Sequence, residues 1–127
     1  MDGHGDYYVR YLKDGTNIDD MKSKDTLIEL IKDVASQVLP EGAQLILFGS
    51  RARGEAREGS DWDLLVLIDK DRVEYSDYDD IVYPLSITGW ETGDLVNPII
   101  YTKSEWQDNR ITPFYQNVMK EGIVLWA

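Results

Sequence analysis

The chain has 127 residues, 24 of them acidic and 13 basic, for a formal net charge of -11. That length carries one domain, and 43% hydrophobic with 29% charged residues excludes wholesale disorder. The acidic excess argues against coating of DNA or RNA, which needs Lys and Arg to displace counterions. The absence of cysteine removes a disulfide scaffold, a thiolate metal site and a cysteine nucleophile.

Residues 1–22 mix Tyr7, Tyr8, Val9, Tyr11 and Leu12 with Gly and Asp, and read as an arm or a short edge strand ahead of a single domain over 23–127. Met1 to Asp6 lacks the basic-then-apolar pattern of a secretory signal, and no apolar run reaches the roughly 20 residues that span a bilayer. A cytoplasmic protein is expected.

Thr26 and Glu29 have capping-box spacing, and Leu27, Leu30, Ile31, Val34 and Val38 recur at helical intervals until Pro40 and Gly42. Leu45 to Phe48 is an apolar run suited to a buried strand, stopped by Gly49-Ser50. Residues 51–60 are polar and read as a helical turn plus loop. Residues 62–68 form the strongest strand, apolar on both faces from Leu64 and therefore central. A helix is expected within 76–91, divided by Pro84. Leu95 to Tyr101 reads as a third strand, placed at an edge or bulge by Pro98. Phe114 to Lys120 reads as a last helix, and Ile123 to Trp126 as a terminal strand. The order helix, strand, turn, strand, helix, strand, helix implies an α/β (α+β) domain with a small mixed sheet covered by helices.

The chemistry concentrates in Phe48-Gly49-Ser50, followed after ten residues by Asp61-Trp62-Asp63. Side chains alternate along a strand, so Asp61 and Asp63 share a face, with Cα atoms roughly 6.5–7 Å apart, while Trp62 points into the packing behind. Two like charges so placed suit a divalent cation, and Mg²⁺ is typically held by one or two carboxylates plus substrate phosphates. Two such ions would clamp the attacking and leaving oxygens of a phosphoryl or nucleotidyl transfer. Gly49 allows close approach to its backbone, Ser50 offers a hydroxyl and N–H groups, and Arg51, Arg53 and Arg57 add positive charge. Each piece alone is ordinary: a Gly-Ser turn, a solvated Asp-x-Asp, an exposed Arg-x-Arg. Their joint order is what points to a metal–nucleotide site.

Phe48-Gly49-Ser50-Arg51-Ala52-Arg53-Gly54, with Gly59-Ser60-Asp61-Trp62-Asp63-Leu64-Leu65-Val66, resembles the signature of the nucleotidyltransferase superfamily that includes DNA polymerase beta. The small size resembles its minimal branch, including antitoxins paired with HEPN-type toxins. The likeness is strongest over 45–69 and continues through Thr102-Lys103-Ser104-Glu105-Trp106 and Glu121 to Trp126. It implies transfer of a nucleoside monophosphate from a nucleoside triphosphate, ATP being expected, to an acceptor hydroxyl with release of pyrophosphate. Asp61 and Asp63 would be catalytic and hold Mg²⁺ or Mn²⁺. Gly49, Ser50, Arg51, Arg53 and Ser60 would contact the nucleotide. The acceptor would be a hydroxyl, on a toxin tyrosine in the antitoxin-like case. A third metal-binding carboxylate is usual in the family. Aligning Val96-Asn97-Pro98 to its strand puts Asn97 there, while Asp94, three residues earlier, would face the other side of a continuous strand and could serve only through a bulge or a strand that starts after it. The alternative is therefore a catalytically weakened nucleotide- or metal-binding partner protein.

Other residues read more plainly. His4, the single histidine, is expected to be inert. Asp77, Asp79 and Asp80 read as a helix start or solvated face. Tyr75, Tyr78 and Tyr83 are expected to pack, and Trp90, Trp106 and Trp126 to lie in the core or an interface.

Overall fold

A computed structural model describes the backbone of residues 18–127 and the side chains of residues 26–127. The chain order is α1 (Ile18–Val38), β1 (Gln44–Phe48), α2 (Ser50–Arg53), β2 (Trp62–Ile68), α3 (Tyr75–Asp77), α4 (Tyr83–Ser86), β3 (Val96–Thr102), α5 (Lys103–Asp108), α6 (Pro113–Glu121) and β4 (Ile123–Trp126). A π turn, Tyr78–Val82, joins α3 to α4, and a 3₁₀ turn, Ile87–Gly89, follows α4.

The strands make one mixed sheet in the order β3-β2-β1-β4. β1 is antiparallel to both β2 and β4, whereas β2 and β3 run parallel. The expected small mixed sheet covered by helices is what the chain forms. β2 is interior, as its two apolar faces require. One of its faces sends Trp62, Leu64, Val66 and Ile68 against Leu27, Ile31 and Ala35 of α1, together with Ile81 and Leu85. The other sends Leu65 and Leu67 against Ile46, Trp106 and Val118. Each large aliphatic side chain so buried contributes about 1.5–3 kcal/mol before entropic costs. Edge-on ring contacts reinforce the second layer: Phe48–Phe114 at 5.4 Å and Trp106–Phe114 at 5.5 Å between centroids.

Several local features depart from the sequence reading. α1 begins at Ile18, so Thr26 and Glu29 sit inside the helix and the box caps nothing there. Leu30 faces outward while Leu27, Ile31 and Ala35 carry the buried stripe. The expected arm falls outside the described residues up to residue 17, His4 and Tyr7 to Leu12 included, and residues 18–22 belong to α1. The helical stretch after β2 divides at Pro84 as expected. The Tyr83 N–H reaches back five residues to the Tyr78 carbonyl, so the ladder has already widened where proline can neither donate nor tolerate the regular turn. β3 is an edge strand, which accommodates Pro98.

α5 was absent from the expected element order. Its cap is a full box: the Glu105 N–H donates to Thr102 Oγ1 at 3.1 Å, and the Thr102 N–H donates to Glu105 Oε1 at 2.8 Å. Gly122 is needed where α6 meets β1, because a Cβ there would lie 2.6 Å from the Val118 carbonyl oxygen and 2.7 Å from Ile46 Cγ2. Among the described residues no helix is long and apolar enough to cross a membrane.

Candidate functional site

β1 ends beside the start of β2, with Phe48 opposite Asp63. The chain then turns through Gly49, at φ 76° and ψ -159°, into α2. A Cβ on Gly49 would lie 2.6 Å from Asp63 Oδ2. The carboxylate of Asp63 therefore rests against the bare backbone of the turn, and glycine is required by both the positive φ and the approach. Asp63 is half-buried on the face carrying Leu65 and Leu67, whereas Asp61 is exposed, immediately before the strand, in the same alternating phase. Neither carboxylate has a hydrogen-bond or ion-pair partner among the described residues. The Gly49 carbonyl accepts from the Ala52 and Arg53 N–H groups, which leaves those of Ser50 and Arg51 outside the helical bonding of α2.

The parallel ladder settles which residue stands beside Asp63. Asp63 and Asn97 are register partners, flanked by Trp62 with Val96 and Leu64 with Pro98. Pairing starts one residue before β3, where the Leu95 carbonyl accepts the Trp62 N–H at 2.8 Å, so Asp94 lies just ahead of the paired segment. Asp94 accepts from Thr92 Oγ1 at 2.5 Å. It lines a cavity of about 300 Å³ with Arg51, Arg57 and Trp62. Leu95, 62% exposed, meets the chain between the two aspartates through its backbone bond to Trp62.

The expected nucleotide contacts separate into two groups. Gly49 and Ser50 lie at the pair. The arginines are engaged elsewhere. Arg51 stands over the Trp62 ring at 4.6 Å and donates from Nη2 to the Ser60 carbonyl at 3.0 Å. Arg53 pairs with Glu55 at 2.8 Å and Glu121 at 3.1 Å, and these carboxylates hold its guanidinium above the usual range. Nothing in the sequence marked Glu121 as its partner. The Ser60 hydroxyl accepts the Arg57 N–H at 2.9 Å, closing the loop before Asp61.

The remaining singled-out residues fall away from the pair. Asp77 is buried, 7% exposed, at the start of α3, where it accepts the Glu74 N–H at 2.8 Å and Lys70 Nζ at 3.0 Å. Asp79 and Asp80 are solvated. Tyr75, at 94% exposure, does not pack, and Tyr78 and Tyr83 are also largely outside, because Asp77, Ile81 and Leu85 take the inward face. Trp106 is core, but Trp90 is 69% exposed and Trp126 lies on the open edge of β4. A cavity of about 630 Å³ is lined by Arg72, Glu74, Tyr75 and Tyr78 beyond the far end of β2. It holds none of the acidic pair.

Among the described residues no cluster of three or more His, Cys, Asp or Glu could hold a metal ion. The donor set is two unpartnered carboxylates and the amide oxygen of Asn97 beside a turn without a side chain. That set suits a hard cation that completes its shell with water and phosphate oxygens.

A family model for the nucleotidyltransferase domain matches residues 27–124. The chain is 27% identical over 106 residues to a protein of Methanocaldococcus jannaschii named "Putative protein adenylyltransferase", covering 84% of this chain and all of that one. A toxin-antitoxin crystal structure with AMP-PNP superposes with a TM-score of 0.57 at 20% identity, over 79% of this chain and 73% of the other. A Sulfolobus solfataricus structure described as "a putative nucleotidyltransferase" gives 0.52 at 22% identity, over 84% and 85% of the two chains.

Proposed function

Because this chain belongs to the nucleotidyltransferase family, we propose that it moves AMP from ATP to a hydroxyl group of a partner protein, with a divalent cation held by Asp61 and Asp63. The observation that carries this reading is the Asp63 carboxylate lying against Gly49, with Asp61 in the same phase. The triphosphate occupies the turn at Gly49 and Ser50, where backbone N–H groups and the hydroxyl orient its oxygens. The acceptor oxygen bonds to the α-phosphorus as the bond to the bridging oxygen breaks. Pyrophosphate leaves with that electron pair. Asp61 and Asp63 would hold Mg²⁺ or Mn²⁺, which when bound would neutralise charge on the phosphates and make the acceptor hydroxyl more acidic. Asn97, a neutral amide beside Asp63, takes no proton, so the acceptor proton passes to water.

An adenylyl group and a protein acceptor are favoured by the archaeal relative's name, and a toxin as that acceptor by the toxin-antitoxin neighbour; that it is of the HEPN type rests on the motif resemblance alone. A cytoplasmic setting, where nucleoside triphosphates are kept, goes with this reading. The register of Asn97 favours a second one, a partner protein that binds nucleotide or metal and transfers little. Incubation with α-labelled ATP, Mg²⁺ or Mn²⁺ and candidate acceptor proteins separates them. Metal-dependent labelling that vanishes in Asp61→Asn and Asp63→Asn is the expected result. Nucleotide binding without transfer to any acceptor supports the second reading, and transfer indifferent to both substitutions overturns the site.

A further inference from the structure

Asp61 is exposed, lies just outside β2, and has no hydrogen-bond or ion-pair partner among the described residues. A metal ligand must nonetheless be held in place, and a loop of seven residues, 54–60, leads into it. The grip falls on its neighbours. Arg51 donates to the carbonyl of Ser60 at 3.0 Å and stacks on the ring of Trp62 at 4.6 Å, so one guanidinium touches the residues on both sides of Asp61. The Trp62 ring cannot yield, because Trp62 is 2% exposed in the core under α1. The Trp62 N–H is tied to the Leu95 carbonyl, and Ser60 closes its own turn through Arg57. Arg51 Nε is buried and has no partner among the described residues, and the side chain lies with Trp62 at the cavity it shares with Arg57 and Asp94. Trp62 faces opposite to the acidic pair, and Arg51 with it.

We infer that Arg51 is a positioning residue that holds Asp61 by gripping Ser60 and Trp62, and is not a phosphate ligand. This deepens the transferase reading, since it concerns how that site keeps its shape. The planar fork and the stacking both matter, so lysine, a point charge on a flexible stem, is no substitute. A phosphate ligand would behave differently, because lysine keeps the charge a phosphate needs.

The test compares Arg51→Lys, Arg51→Ala, Trp62→Leu and Trp62→Phe, each first shown to be folded by circular dichroism. Mn²⁺ binding is followed by calorimetry, and loop closure by the rate of tryptic cleavage after Arg57. Arg51→Lys, Arg51→Ala and Trp62→Leu should each weaken Mn²⁺ binding about tenfold and speed cleavage. Trp62→Phe, which restores a ring under the guanidinium, should stay near the parent on both measures. In labelling assays kcat should fall roughly 10²-fold, as misplacement by about 1 Å can cause, with the KM for ATP little changed. Arg51→Lys that matches the parent in Mn²⁺ binding and cleavage, or that changes only the KM for ATP, would overturn the inference. If no protein is labelled even by the parent chain, the transferase reading fails, while Mn²⁺ affinity and cleavage still decide the role of Arg51.

Discussion

Asn97→Asp is the substitution that asks most of the site. Asn97 and Asp63 are partners in a parallel ladder, and adjacent strands lie about 4.8 Å apart. A second carboxylate at roughly 5 Å in water-exposed surroundings repels Asp63 by about 0.8 kcal/mol, less at 0.1 M salt, where the screening length is about 10 Å. The metal-free variant should melt only about 2–5 °C below the parent. Millimolar Mg²⁺ should reverse that order, because the cation gains a third negative ligand. Transfer should rise by about 10²–10⁴-fold, the typical contribution of general-base help, or about 3–5 kcal/mol off the barrier. Differential scanning fluorimetry with and without Mg²⁺, beside α-labelled ATP transfer, measures both. An equal loss of stability in the two conditions, with no gain in transfer, would show that position 97 does not face the reacting groups.

Three further perturbations test other parts of the structure. Gly49→Ala forces a side chain into a positive-φ turn 2.6 Å from Asp63 Oδ2; it should cost about 1–2 kcal/mol in urea melts and weaken Mn²⁺ binding by displacing Asp63. Burial works to raise the Asp77 carboxyl, but the Glu74 N–H and Lys70 hold it below its usual range. Its stabilisation is thus present at neutral pH and lost as pH falls below about 4; Asp77→Asn should cost about 1–2 kcal/mol at pH 7 and less at pH 3 in paired denaturant titrations. Trp106→Ala empties the layer under α5 and α6 and should cost about 3–5 kcal/mol, measured by the same titrations.

The strands were legible because burial leaves an unbroken signal: Leu45 to Phe48 and Leu64 to Ile68 are apolar on both faces, and Pro98 marked an edge. The register that sets Asn97 opposite Asp63 was not legible from the strands themselves, because nothing in their residues says that they pair in parallel; Asn97 was reached only by alignment to the strand of the resembled family. Helix starts were not legible either. Thr26 and Glu29 imitate a cap within α1, while the working box, Thr102 with Glu105, carried the same spacing and was passed over as an element. Spacing alone does not say whether a backbone N–H is already bonded to the turn before it. Long side chains were the least legible. The stacking of Arg51 on the Trp62 ring has no mark in the sequence pattern, and the three tyrosines read as packing until Ile81 and Leu85 claim the inner face.

The parallel pairing of β2 and β3 has an evolutionary consequence. Asp63 and Asn97 are aligned by the ladder itself, whatever path the chain takes between the strands. The crossover through residues 69–95 can therefore lengthen, shorten or acquire new docking surface without disturbing the spacing of the reactive end. The seven residues between Arg53 and Asp61 enjoy no such licence, and diversification in descendants of this chain should spare that loop and accumulate along the crossover.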